Sequence, residues 1–541
     1  MMRAACVVAL CCVWWAWEPS SAEAGQPAVI RGPYLQLGTT TSIAVRWRTD
    51  SPAESRVRYG LSPTGLTQEE SSAIATEEHQ VEIRGLLPAT TYYYAIGTDT
   101  VDLAGGDDDH FFLTAPDPGT PVPTRVWVLG DSGTAKPKVE VLREGYYAFT
   151  GDTHTNLWLM LGDNAYTSGT DEQYQEAVFE MFPEMLRKSV LWPTMGNHDG
   201  LSASSSAQDG PYYNIFTLPT AAESGGVASG TEAYYSFDYG NIHFICLESF
   251  EMDRSADGPM LTWLAEDLSA TPRQWIIAYW HHPPYSKGAH DSDREIELIE
   301  MRENALPILE DGGVDLVLCG HSHAYERSYL LNGHYGKSYT LTADMIVDCG
   351  DGRSDGDGVY EKPVVREVDD GAVYVEAGNS GGQGLLFDLN HPVMPRTWSS
   401  LQQGSLVLDI DGNRLDARYI SKQGGLVDHF SIVKQGRTRQ PIPCSPVVEA
   451  RFRRGDANGD GKIDLADPIW IVGGLFLGAS FGACSAASDA DDDGKLVLTD
   501  AIYTLNFLFR GGPPPPAPYP DCGDDTTDDD LTCTVPWRCR P

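Results

Sequence analysis

Five short apolar runs in this chain each stop at a turn that carries a metal-competent side chain, and no other feature limits its possible folds so strongly. Leu157-Trp158-Leu159-Met160-Leu161 leads into Gly162-Asp163-Asn164-Ala165-Tyr166. Arg125 to Leu129 leads into Gly130-Asp131-Ser132-Gly133, and Val190 to Met195 into Gly196-Asn197-His198-Asp199. Trp275 to Trp280 leads into His281-His282-Pro283-Pro284, and Val314 to Cys319 into Gly320-His321-Ser322-His323. Short continuous apolar runs closed by turn residues read as buried strands. Helical patterns at Lys138 to Phe149, Glu172 to Phe182, Pro259 to Leu268 and Arg294 to Leu309 separate them, and this alternation predicts βαβ units. Ligands collect at the carboxyl ends of parallel strands, so five such ends make one cluster.

A lone Gly-Asp-x-x-Tyr is usually an Asx-type turn followed by a packed aromatic. Four further strand ends change that reading. A carboxylate on a strand tip offers one oxygen to each of two cations, so Asp163 is placed to bridge, and Tyr166 to bring its phenol back to one of them.

At these residues the chain resembles the calcineurin-like metallophosphoesterases and, within them, the purple acid phosphatases, over about 124 to 433. The wider superfamily opens on Asp-x-His. Here the first motif is Asp131-Ser132-Gly133, and the lost imidazole is replaced, as in purple acid phosphatases, by the tyrosine of Gly-Asp-x-x-Tyr. Gly320-His321-Ser322-His323-Ala324-Tyr325-Glu326-Arg327-Ser328 is similar to that family's last motif. The resemblance implies an α/β metallophosphoesterase fold of two packed sheets flanked by helices, with a binuclear centre at one edge. It assigns Asp131, Asp163, Tyr166 and His323 to one metal, and Asp163, Asn197, His281 and His321 to the other. Two carboxylates and a phenolate are hard donors suited to Fe(III), whereas two imidazoles and an amide oxygen suit a divalent ion such as Zn, Fe or Mn. His281 is preferred to His282 because the family's histidine stands two residues before the proline; His282 then becomes a hydrogen-bonded neighbour. His198 is assigned as a proton donor beside the metals. His290 lies where the family often places a further substrate-binding histidine, and reads equally as an exposed loop residue. Asp199 either orients His198 or caps a turn.

The implied reaction is hydrolysis of a phosphate monoester, with two cations clamping the phosphoryl oxygens and acidifying water, and His198 with His290 protonating the departing alkoxide. Fe(III) would favour an acidic optimum. Phosphodiesterase and nucleotidase chemistry uses the same ligands and differs in loops, such as the long polar stretches Ser202 to Gly230 and Ala343 to Asp370 that are expected to rim the pocket. A noncatalytic scaffold would show gaps among the ligands, and there are none.

With 541 residues the chain exceeds one ordinary core and implies about three or four units. A formal net charge of -39 argues against non-specific attraction to nucleic acid or an anionic membrane surface. Met1 to Ala24 reads as a secretory signal peptide, with Arg3, an apolar run from Ala4 to Trp17 too short to span a membrane, and Ala22-Glu23-Ala24 as the cleavage pattern. Cys6, Cys11 and Cys12 would leave with it. Cys246 and Cys319 lie inside apolar strands and read as buried thiols, while Cys349, Cys444, Cys484, Cys522, Cys533 and Cys539 are open to disulfides in an oxidising compartment, their pairing undetermined.

Residues 27 to 116 carry short alternating strands, with Ile43, Val45 and Trp47 on one face, and predict a β-sandwich. Leu86-Leu87-Pro88-Ala89-Thr90-Thr91-Tyr92 resembles the tyrosine corner of fibronectin type III domains. Asp117 to Pro123 is a stiff linker. Beyond the central part, Asp456, Asn458, Asp460, Asp464 and Asp467 place oxygens at calcium-loop positions 1, 3, 5, 9 and 12, with Gly461 at position 6 and the Lys462 carbonyl at 7. The pattern returns 33 residues on, with Asp489, Asp491, Asp493, Lys495 and Asp500. Each loop precedes a helical pattern, Ile469, Val472, Leu475 and Phe476, then Ile502, Leu505, Leu508 and Phe509. Loop plus single helix, twice, over 450 to 512 resembles a dockerin type I repeat, which implies a small helical calcium module and a cohesin-like or cell-surface partner. Leu465-Ala466 and Leu498-Thr499 depart from the family's frequent Ser-Thr pair, so a calcium-stabilised module without a partner is the alternative. A proline-rich and acidic tail occupies 513 to 541.

Overall fold

The computed structural model of the protein describes residues 26–135, 137–366, 370–381, 389–398, 402–435, 441–442, 451–477 and 484–523, with 525, 527, 531 and 533. Met1 to Ala24, the segment expected to be a signal peptide, lies outside the described residues, as do Cys444 and Cys539.

The N-terminal unit is a six-stranded, sandwich-like β domain. Its organiser is the long strand Ser42–Gly60, whose first half pairs with Val29–Gln36 and whose second half pairs with Thr91–Gly97, while Gln68–Arg84 follows it along both halves. Register shifts around Ala53 bend the strand between the two pairings. Ile43, Val45 and Trp47 are buried as their alternation predicts. The Tyr92 hydroxyl accepts the Leu87 N–H at 3.1 Å.

This domain packs on the next through polar groups that a strand face would normally show to water. Tyr34 donates to the Ile215 carbonyl at 2.8 Å and Gln36 to that of Leu191 at 2.8 Å. Arg31 and Arg48 converge on the Asp171 carboxylate at 2.9 and 2.5 Å. Asp171 opens a short helix, Asp171–Tyr174, that is capped by Thr170 and continues as a π-helical turn, Gln175–Phe179.

The central unit is built on two sheets. One has seven strands in the order Tyr360–Lys362, Leu426–Lys434, Arg414–Ser421, Gly404–Asp411, Thr124–Leu129, Leu157–Met160, Val190–Pro193. The other runs Tyr235–Tyr239, Ile242–Cys246, Trp275–Tyr279, Leu316–Cys319, Ala372–Ala377, Tyr325–Leu331, Ile346–Asp348, with Arg396–Trp398 also on Tyr325–Leu331. The last three strands of the first order are mutually parallel, as are Ile242–Cys246, Trp275–Tyr279, Leu316–Cys319 and Ala372–Ala377. Their apolar runs are continuous because both faces are covered. Trp275, Ile277 and Tyr279 join the core between the sheets, where Trp192 stacks on Phe237 at 3.9 Å, whereas Ile276, Ala278 and Trp280 meet helix Pro259–Ala270 through Leu261 and Leu264.

Two expectations need correction. The helix expected over Arg294 to Leu309 is Ile296–Glu300, a π turn Met301–Ala305 and Leu306–Asp311. Pro307 lacks an N–H to donate one turn back, and the wider turn accommodates the gap. The stretch 343 to 370 is not simply a rim loop, since Ile346–Asp348 and Tyr360–Lys362 are strands, one in each sheet. Lys362 reaches Asp315 at 2.8 Å, and Lys434 reaches the same buried carboxylate at 2.7 Å.

At the C-terminal end, helices Ala466–Leu477 and Leu498–Arg510 meet through Ile471, Leu475 and Ala501. The tail folds back over this unit. Phe452 and Gly523 exchange backbone hydrogen bonds at 3.0 Å, Cys484 is bonded to Cys533, and the buried Arg454 guanidinium joins Asp492 at 2.8 Å to Asp525 at 2.9 Å. Cys349 and Cys522 are also disulfide-bonded, while Cys246 and Cys319 are buried free thiols. Among the described residues no helix is long and apolar enough to cross a membrane.

Burial raises the Asp171 pKa, but the Arg48 and Arg31 hydrogen bonds outweigh it and hold it down at about 2. A depressed carboxylate stabilises the fold above its unfolded value, about 3.9, and that contribution is lost as pH falls through the folded value. The side chain is 35% exposed, so solvent screening limits the effect to about 1 kcal/mol. Asp171→Asn should therefore lower the thermal midpoint at pH 7, with the difference from wild type vanishing between about pH 4 and pH 2.

Candidate metal centre

The five strand ends singled out in the sequence meet at the edge where the two sheets approach. Asp131, Asp163 and His321 adopt left-handed backbone with φ of 56°, 51° and 75°. Such strain costs on the order of 1–3 kcal/mol per residue and persists where the surroundings over-determine it. Here it turns each side chain back over the end of the strand that precedes it.

Two clusters result. In the first, the Tyr166 hydroxyl lies 3.1 Å from Asp131 Oδ1 and 3.1 Å from His323 Nε2, and ligand atoms of Asp131, Asp163 and His323 lie within 4.8 Å of one another. In the second, Asn197 Oδ1 is 3.0 Å from His281 Nε2 and 3.0 Å from His321 Nδ1, which are 3.2 Å apart. Asp163 Oδ1 stands 3.4 Å from His281 Nε2, so this carboxylate belongs to both clusters. All seven expected side chains are together.

The donor set fits cations and fits poorly without them. His281 Nδ1 is 2.8 Å from the Leu161 carbonyl, so a neutral ring donates there and turns its Nε2 lone pair toward Asn197 Oδ1, itself an acceptor. His321 Nδ1 has at most one proton to give, and whichever way it points the Asn197 Oδ1 to His281 Nε2 contact still sets lone pair against lone pair. A positive ion among them removes the conflict. Burial first, then the Asp131 and Asp163 charges, push the Tyr166 phenol well above its ordinary pKa, so ionising it at neutral pH needs an opposing charge.

Small residues make the approach possible. At Gly162 (φ 89°) a Cβ would stand 2.5 Å from His281 Nδ1. At Gly133 it would stand 2.4 Å from the Ala165 nitrogen, so a larger residue at the place of the superfamily's first histidine would collide with the turn that presents Tyr166.

The structure settles several neighbouring residues. His282 Nδ1 bonds Ser249 Oγ at 2.8 Å, its ring packs 4.3 Å from that of His321, and burial pushes its pKa well down. His198 Nδ1 lies 2.7 Å from the Thr167 carbonyl, its backbone N–H donates to Asp163 Oδ1 at 2.9 Å, and its Nε2 is 3.9 Å from Asp163 Oδ2. Thr167, not Asp199, orients that ring. Asp199 is fully buried and accepts from the N–H groups of Gly196, Asn164 and Ala165 at 3.0 to 3.2 Å and from the Tyr174 hydroxyl at 2.8 Å. It ties two motif turns together, and burial followed by the Asp163 charge pushes it up to about 6. His290 bonds Glu295 at 2.7 Å and its ring lies 3.6 Å from that of His321. Glu295 belongs to no motif, and only its distance of five residues from His290, at a helix start, hinted at a role.

The two C-terminal loops fold alike. Gly461 donates to Asp456 Oδ2 and Gly494 to Asp489 Oδ2, both at 3.0 Å; Lys462 donates to Asp460 at 2.9 Å and Lys495 to Asp493 at 3.0 Å. Asp464 and Val497 donate to Asp467 and Asp500 at 2.7 and 2.9 Å. Burial pushes Asp467 up to about 6 and Asp500 up to about 7. Carboxylate atoms of Asp489, Asp491 and Asp500 lie within 4.8 Å of one another.

Fold and site together define a calcineurin-like metallophosphoesterase, and the family model described as calcineurin-like phosphoesterase matches residues 124–325, with that of the purple acid phosphatase N-terminal domain at 30–112. Purple acid phosphatase 18 of Arabidopsis thaliana is 30% identical over 325 residues, 56% of this chain and 67% of that protein. The chain belongs to the purple acid phosphatase family. Purple acid phosphatase 15 of the same plant is 30% identical over 319 residues, 54% of this chain and only 56% of that protein's length. A purple acid phosphatase isolated from yellow lupin (Lupinus luteus) seeds shares the fold, with a TM-score of 0.55 at 17% identity over 76% of this chain and 74% of that one.

Gly162→Ala should displace His281 from its Leu161 hydrogen bond. Disturbing such an outer partner costs about 10–100-fold in metal affinity, to be read as metal retained after dialysis against a weak chelator.

Proposed function

We propose that this protein is an acid phosphatase that hydrolyses phosphate monoesters at a binuclear metal centre. The observation that carries the reading is Asp163, one carboxylate shared by two clusters of complementary donors. In this reading Asp131, Asp163, Tyr166 and His323 hold Fe(III), and Asp163, Asn197, His281 and His321 hold a divalent ion, Zn, Fe or Mn. When bound, the pair supplies Lewis acidity to the phosphoryl group and acidifies water.

The chain's own residues do the remainder. Thr167 fixes the His198 ring through Nδ1, which leaves Nε2 to carry a proton to the departing alkoxide. His290, whose ring lies 3.6 Å from that of His321, assists. Asp199 keeps the Asp163 and Asn197 turns in register.

The test is a metal analysis with assays on a mono-aryl and a bis-aryl phosphate across pH. Faster turnover of the monoester with an acidic optimum supports the reading; preference for the bis-aryl ester makes the protein a phosphodiesterase, and nucleotide-restricted activity a nucleotidase. No turnover in metal-loaded protein leaves a noncatalytic scaffold. A visible charge-transfer band that Tyr166→Phe abolishes is expected if iron occupies the first site, and a colourless loaded protein removes iron from it. His198→Ala should lose about 10²–10⁴ in rate on alkyl phosphates and much less on activated aryl phosphates. Equal losses on both substrates exclude the proton-donor role.

The same reading extends to the rest of the chain. Export to an oxidising compartment is supported by the Met1 to Ala24 pattern and by the disulfide-bonded Cys349, Cys484, Cys522 and Cys533. The loops 456 to 467 and 489 to 500 bind calcium in a dockerin-like module. Its partner, cohesin-like or on a cell surface, is favoured by an apolar face that repeats with the sequence: Leu465 and Leu498, Ile469 and Ile502, Val472 and Leu505, and Phe476 and Phe509 are all exposed. Calcium at about 100 times its dissociation constant should stabilise this module by about 2.7 kcal/mol, seen as a raised unfolding midpoint that Asp489→Ala with Asp456→Ala abolishes.

A further inference from the structure

We propose that Glu295 is a positioning residue, one that holds His290 against the metal centre in a single tautomer with Nε2 turned to the substrate. The proposal rests on the phosphohydrolase reading and names a further part of the same site.

Glu295 stands at the N-cap of helix Ile296–Glu300, in extended backbone, and both of its carboxylate oxygens are committed. Oε1 accepts the Asp291 N–H at 2.9 Å, which closes the turn that carries His290. Oε2 lies 2.7 Å from His290 Nδ1 and 3.6 Å from His321 Nε2. The one carboxylate therefore faces two imidazoles whose centres are 3.6 Å apart and whose planes are tilted by 30°, and the inner one turns its Nδ1 to Asn197 and His281. His290 itself is about one-third exposed, with a side-chain accessibility of 35%. Contact with the tilted His321 ring alone leaves such a ring free to flip. A carboxylate behind Nδ1 selects the Nδ1–H form, fixes the ring plane, and leaves Nε2 as the nitrogen that can meet a phosphoryl oxygen or a leaving group.

A double-mutant cycle separates this role from general support of the loop. Outer partners of site histidines are worth about 10–100-fold, so Glu295→Ala should lower kcat/KM about tenfold or more in the wild-type background and less than about twofold on top of His290→Ala. Glu295→Gln, which keeps an oxygen acceptor, should recover part of the loss. Equal fold losses in the two backgrounds overturn the proposal, as does a loss of bound metal in Glu295→Ala, which would assign the effect to His321. Nitrogen-15 histidine spectra of the zinc-loaded protein report without turnover: His290 should be protonated at Nδ1 in wild type and mixed in Glu295→Ala, and an unchanged tautomer overturns the proposal. If wild type hydrolyses no phosphate ester while the tautomer shifts as stated, the functional reading fails and the positioning role stands.

Discussion

Everything at the metal centre depends on the turn that carries Asp163. The strand Leu157–Met160 delivers the chain to the sheet edge, and a left-handed residue there, φ 51°, reverses the side chain so that it lies between two groups of donors. A β-region residue at that point would send the carboxylate onward with the strand. The strain is held by what surrounds it. Asp199 ties the next two backbone N–H groups and that of Gly196 to one buried carboxylate, and Gly162 lets His281 approach to where a side chain would otherwise stand.

The same crowding explains a substitution between motifs that lie 33 residues apart. Gly133 leaves no room for a β carbon against the Ala165 backbone. A chain that presents Tyr166 from this turn gives up a side chain at position 133. Residues that look independent along the chain thus exclude each other in space, and the phenol stands 3.1 Å from both Asp131 and His323.

The flanking units serve the centre at a distance. The N-terminal domain grips the 171 to 179 segment through Arg31 and Arg48, and Tyr174 in that segment donates to Asp199. The short helix Asp171–Tyr174 therefore joins the interdomain contact at its first residue to the Asp199 hydrogen bond at its last, and through Asp199 to the Asp163 turn. At the other end, the tail closes on its own module through Phe452, Arg454 and the Cys484 to Cys533 bond, which gives a purpose to a stretch whose composition suggested none.

Much of this was written in the order of residues. Five apolar runs with turn residues at their ends determined that strands would bring Asp131, Asp163, Asn197, His281, His321 and His323 to one edge, because a strand buried on both faces must be apolar throughout and can change character only where it stops. The 33-residue repeat in the C-terminal loops was equally local, since each turn is closed within its own loop, Gly461 on Asp456 and Gly494 on Asp489. What no window of sequence could decide is which groups face each other across long separations. Glu295 and His290 both stand beside His321, Thr167 rather than Asp199 orients His198, and Ile469, Val472, Phe476, Ile502, Leu505 and Phe509 of the two C-terminal helices look outward while Leu475 packs inward. Those outcomes follow from how whole elements pack, and packing is settled only when every neighbour is present.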